Sequence, residues 1–82
     1  MYKNRSAEGK LNICGSKVAA LRKAMVPKVS QRAFAELLQL ESLDLDKNAI
    51  QKIEQGKRFV TDIELRAIAK VLHTTADQLI EE

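Results

Sequence analysis

From Cys14 to Ile80 the apolar residues of this chain recur at spacings of three and four. That period matches one face of an α-helix and not the strict alternation of a half-buried strand. Cys14, Val18, Leu21 and Met25 form the first stripe. Pro27 closes it, because a residue preceding proline avoids the helical region. The spacing predicts a first helix over about 14–25, with Lys17, Arg22 and Lys23 off the apolar stripe. Ser30 is a good N-cap for a second helix, about 31–39, whose buried side is Phe34, Ala35, Leu37 and Leu38. Leu40, Leu43 and Leu45 follow in a stretch with neither Gly nor Pro, and all three are expected to dip into a core.

Asp46 caps a third helix, about 47–55, with Ala49, Ile50 and Ile53 inward. Gly56 stands where a left-handed residue ends a helix. Thr61 with Glu64 forms a capping box for a fourth helix, about 62–72, built on Leu65, Ile68, Ala69 and Leu72. His73 follows where Gly is more usual, as a residue that tolerates positive φ better than most. Thr75 with Gln78 opens a fifth helix, about 76–81, anchored by Leu79 and Ile80. The expectation is an all-α fold, a compact five-helix bundle over residues 13–82. Residues 1–12 read as a flexible basic arm, without apolar periodicity, in which Lys3, Arg5 and Lys10 could reach along a nucleic-acid backbone or into a minor groove.

With 82 residues the chain forms one domain. A domain of that size buries only roughly 60–65% of its unfolded surface, so it needs efficient packing or a partner. Charge is divided unevenly. Residues 1–35 hold eight Lys or Arg and one acid, a local +7, whereas residues 36–82 hold six bases and ten acids, a local −4. A basic half points to an anionic partner, although a solvated basic face would look the same. Cys14 is the sole cysteine, so neither an intrachain disulfide nor a cysteine-built zinc site can form. No apolar run suits a signal or a membrane span, and the reading is of a cytoplasmic protein.

Catalysis finds no support. There is no Cys–His or Ser–His–Asp arrangement, no Gly-rich phosphate loop and no His-Glu-x-x-His motif. His73 stands alone, and Asp44 and Asp46 are more simply a solvated acid and a helix cap than a metal pair. The sequence implies no enzyme, no cofactor and no metal.

The order of segments is more specific. Leu21-Arg22 lies in the first helix, and Ser30-Gln31 and Ala35 open the second. Ile50-Gln51-Lys52-Ile53-Glu54-Gln55-Gly56-Lys57-Arg58 follows, then Leu65, Ile68-Ala69, Leu72 and Asp77-Gln78-Leu79. Over about residues 13–81 the chain resembles the Cro/repressor-type (Xre) helix-turn-helix family. The resemblance implies a phage-repressor-like fold and a nucleoid-associated transcription regulator, a repressor by that likeness. In such a fold the third helix enters the major groove of double-stranded DNA and the second lies across the backbone. Lys47, Asn48, Gln51 and Lys52 then occupy the base-reading face, which agrees with Ile50 and Ile53 pointing the other way. Lysine suits guanine O6 and N7, and Asn or Gln suits adenine N6 and N7. Ser30, Gln31, Lys57 and Arg58 would contact phosphates. Family members also carry an ion pair at the positions of Arg22 and Glu54, and the resemblance implies the same partly buried pair here, joining the first helix to the end of the third.

Three features depart from the family pattern. The link between the second and third helices is lengthened, with Gln39 or Asp44 where Gly would stand. Ala33 replaces the acid of a capping box, and His73 replaces Gly. A homodimer, at least on DNA, is expected because one small domain makes few base contacts, with Phe59, Val60 and Ile63 as candidate dimer contacts. The alternative is a protein-interaction module, an antitoxin-like or co-regulator subunit that uses the same fold to hold a protein partner.

Overall fold

The computed structural model describes residues 9–81. Five helices follow one another: α1 (Gly15–Lys23), α2 (Gln31–Leu40), α3 (Lys47–Glu54), α4 (Asp62–Val71) and α5 (Ala76–Ile80). Among the described residues there is no strand. Four of the helices start on side-chain caps. Ser30, Asp46, Thr61 and Thr75 accept hydrogen bonds from the backbone N–H three residues on, which satisfies donors that a helix start otherwise leaves open. The Thr61–Glu64 capping box is closed in both directions.

Helix α1 starts differently. Cys14 occupies its N-cap without a side-chain capping bond, and Asn12 supplies the acceptor instead, its Oδ1 lying 2.8 Å from Gly15 N. The structured part therefore begins before residue 13. Leu11 N donates to Gly56 O at 2.8 Å, and Leu11 and Asn12 are half-buried. The proposed arm residues Lys3 and Arg5 lie outside the described residues.

The core is one cluster. Phe34, Leu38, Ile50, Ile53, Ile68, Leu79 and Val18 are fully enclosed, with Cys14, Ala35, Leu45, Ala69 and Leu72 around them. Helix α3 packs on both α1 and α2, α2 packs on α4, and α4 on α5. Three sequence expectations fail here. Of the two expected anchors of α5 only Leu79 is enclosed, and Ile80 at the last position of that helix is exposed. On α1 the inward positions are Gly15, Val18 and Arg22, whereas Leu21 faces outward. A carboxylate on α3 turns the helix so that Arg22 is covered. Leu40 is 80% exposed, because α2 ends there and the chain reverses before it can fold inward; only Leu43 and Leu45 reach the core.

That reversal sets the path of the link between α2 and α3. Ser42 adopts a left-handed conformation, φ 64°. Its N–H bonds to Gln39 O and that of Leu43 to Leu38 O, the paired closure of a Schellman motif, with Leu43 returning toward the helix it leaves. The left-handed residue is thus Ser42 and neither Gln39 nor Asp44. Gly56 (φ 74°) and His73 (φ 58°) close α3 and α4 by the same pattern.

Candidate nucleic-acid interface

Helix α3 is divided by burial. Ile50 and Ile53 are enclosed, while Lys47, Asn48, Gln51 and Lys52 are all exposed. Among the described residues, Lys47, Lys52 and Lys57 form no ion pair, although Arg22, Arg58 and Lys70 each do. Lys47 sits at the first position of α3, where a cation opposes the helix dipole at a cost of roughly 0.3–1 kcal/mol. Its charge does nothing for the helix that carries it.

What holds α3 in place is a charged joint of three elements. Arg22 Nε donates to Glu54 Oε2 at 2.6 Å and Arg22 Nη2 to Glu54 Oε1 at 3.0 Å. Arg22 Nη1 donates to Val29 O at 3.0 Å, and Gln31 Nε2 to Glu54 Oε1 at 3.0 Å. The side chains of Arg22 and Glu54 are only 10% and 7% exposed. Burial pushes the Glu54 carboxyl up. The hydrogen bonds from Arg22 and Gln31, with the charges of Arg22 and Lys23, outweigh it and hold the group below the usual carboxylate range. The same bonds raise Arg22 above its ordinary value. The fork of an arginine meeting both oxygens of a carboxylate fixes orientation as well as distance, so α1 and the start of α2 are registered against the end of α3.

The expected phosphate contacts divide. Ser30 is exposed and its Oγ accepts from Ala33 N at 3.0 Å. One amide N–H of Gln31 is committed to Glu54. Lys57 is exposed. Arg58 is already engaged by α4: Nη1 and Nη2 each lie 2.9 Å from an oxygen of Glu64, and Nη1 also donates to Phe59 O, so a phosphate would compete with that carboxylate for the guanidinium. Glu64 is already positioned by the capping box, and Arg58 completes its set of donors. The Arg58 bond holds the Glu64 carboxyl low against a smaller opposing push from burial.

Asp46, Asn48, Ala49, Lys52, Lys57 and Arg58 line an open polar groove of about 470 Å³. It joins the outward face of α3 to the loop that follows. On the other side of α3 an open cleft of about 360 Å³ brings Lys47 together with Arg32 of α2, flanked by Glu36, Asp44 and Asp46. Sequence reasoning had not singled out Arg32; its place one residue after Gln31 was the available signal.

The candidate dimer residues also divide. Phe59 and Ile63 are 51% and 73% exposed, whereas Val60 packs against the core. Val60 lines a small pocket with Leu11, Cys14, Leu65 and Ile80.

Among the described residues, no group of three or more His, Cys, Asp or Glu side chains could hold a metal ion. Nor is any described helix long and apolar enough to cross a membrane. No family model, curated protein or solved structure matches the chain.

Proposed function

We propose that this protein binds duplex DNA in a sequence-specific manner and acts as a transcription regulator, a repressor in the reading that its sequence resemblance favours. One observation carries the proposal. Lys47, Asn48, Gln51 and Lys52 stand exposed on one face of a helix whose opposite face is fixed by an enclosed ion pair. A rigid helix that presents cations and amides together suits insertion into a major groove, where such groups pair with base edges. Lys57, exposed on the groove that it lines with Asn48 and Lys52, supplies a phosphate contact, with Ser30 and Gln31 at the start of α2. The reading involves no cofactor and implies a cytoplasmic, nucleoid-associated protein.

The test is selection of bound duplexes from a random library, followed by binding of alanine variants to selected and scrambled duplexes across a salt series. Lys47, Asn48 and Lys52 variants should lose discrimination at one or two base pairs, ~1–3 kcal/mol each. Gln51→Ala should do less. Lys57→Ala should weaken all sequences alike and flatten the salt slope by about one unit. If the three α3 variants keep full discrimination, α3 does not read bases.

The exposure of Phe59 and Ile63 favours a second reading, in which apolar residues close to α3 take a protein partner, either a second copy or a different chain. Sedimentation with and without a selected duplex separates these. A homodimer on two half-sites supports the DNA reading, and a strict monomer on DNA removes the dimer.

A further inference from the structure

We propose that Asn12 is a positioning residue for the DNA interface, holding the loop after α3 so that Lys57 stands at a fixed place beside the reading helix. The inference rests on the DNA-binding reading above.

Asn12 lies far in sequence from α3, and its amide is used at four points, one of them a long contact from Cys14 Sγ to Oδ1 at 3.8 Å. Oδ1 accepts from Gly15 N at 2.8 Å. Nδ2 donates to Ile53 O at 3.1 Å and to Arg58 O at 2.8 Å. The two carbonyls bracket residues 54–57, in which α3 ends and turns. Ile53 O also accepts from Gly56 N at 3.0 Å, so Asn12 braces the same carbonyl that closes the Schellman motif. Next to it, Leu11 N donates to Gly56 O at 2.8 Å. The Lys10 chain covers Gly56 within 2.8–3.0 Å of where a Cβ would stand. A loop of this kind is ordinarily the most mobile part of a small fold. Here its two flanks are tied to one side chain, which is itself anchored on the start of α1. Lys57 is the exposed cation carried by that loop. It makes no ion pair among the described residues, so no carboxylate holds its charge and the backbone position sets the region it can reach.

Asn12→Asp separates the roles. The carboxylate keeps the acceptor for Gly15 N and suits a helix start, but it loses both donors and faces two carbonyls. In the full-length protein without DNA, amide exchange at Gly56 and Lys57 should accelerate about tenfold or more, while the amides of α2 and α4 keep their rates. On a selected duplex, Asn12→Asp should weaken binding to matched and scrambled sequences equally. In a Lys57→Ala background the uncharged Asn12→Ser, which brings no new charge toward the phosphates, should weaken binding no further. A merely structural role would lower affinity by the same factor in both backgrounds, and that multiplicative result overturns the proposal. Asn12→Ser, which retains a short acceptor but cannot bridge both carbonyls, is the second variant should the aspartate prevent folding. Unchanged exchange at Gly56 and Lys57 sinks the clamp itself. If the parent protein binds no duplex, the DNA reading falls and takes the binding role with it, while the exchange measurement still judges the clamp.

Discussion

Replacing Gly15 by alanine should strongly destabilise the protein, although the same change in a free helix is favourable. Glycine in a helix interior costs roughly 1 kcal/mol relative to alanine; at the first position of α1 the difference is smaller, but propensity alone still predicts a gain. The structure reverses the sign. A Cβ on Gly15 would lie 2.2 Å from Ile53 O and 3.2 Å from Glu54 O. A carbon meets a carbonyl oxygen comfortably only at about 3.3 Å or more, so α1 must retreat from α3 by ~1 Å. That retreat strains the Arg22–Glu54 contact, now 2.6 Å at its shorter bond, and pulls Asn12 from Ile53 O, now at 3.1 Å. Overpacking typically costs ~1–3 kcal/mol, and a weakened charge-assisted bond adds ~1.5 kcal/mol or more. After the helix gain, the net loss is ~2–4 kcal/mol. For a domain of this size that lowers Tm by on the order of 10–30 °C. Urea unfolding followed by circular dichroism measures it, with Ser16→Ala as a control expected within ~0.5 kcal/mol of the parent. A Gly15→Ala protein as stable as the parent, or more so, would mean that the two helices do not approach this closely.

Glu54→Ala should cost ~3–5 kcal/mol in the same assay, because it strands an enclosed arginine. Glu54 and Glu64 are both held below the ordinary carboxylate range. Their contribution is therefore complete above the unfolded-chain value of about 4.3 and is lost as pH falls through the folded values. Unfolding free energy should decline in acid, and Glu54→Gln should flatten that decline; an unaltered slope would refute the coupling. Glu64→Ala removes the α4 capping box and releases Arg58, at ~1–2 kcal/mol, and should increase DNA affinity at low salt by freeing a cation near the groove. Cys14 is enclosed and burial raises its thiol above the ordinary value. A thiol reagent at neutral pH should modify it only as fast as the protein opens, and immediate stoichiometric labelling of folded protein would contradict this.

Features governed by near neighbours in sequence were legible before the structure. Caps at Ser30, Asp46, Thr61 and Thr75 and the stop at Gly56 are local chemistry, and the helix limits agree with them to within two residues. His73 has the positive φ expected of it. What failed depends on distant partners. Arg22 lies off the apolar stripe, so spacing alone leaves it outside; only the family likeness pairs it with Glu54, and the pair forms as that likeness implies. Leu40 and Leu43 are equivalent by composition, and only the turn at Ser42 decides which returns to the core. Arg58 has the chemistry of a phosphate ligand, but a carboxylate on α4 engages it. Asn12 had no signal at all, because its partners are backbone carbonyls, which any sequence would supply.

Serine at 42 and histidine at 73 have a consequence for how the protein tolerates change. A side chain in the left-handed region carries about 1–2 kcal/mol of steric disadvantage, and glycine at either place would remove most of it at a smaller entropic cost. The fold works with both disadvantages in place. A genetic screen that begins from a mildly damaged core, for example Ile68→Val at ~0.5–1.5 kcal/mol, should therefore return Ser42→Gly and His73→Gly as second-site suppressors. Both changes lie at helix ends away from the α3 reading face, so the rescued proteins would keep whatever α3 recognises.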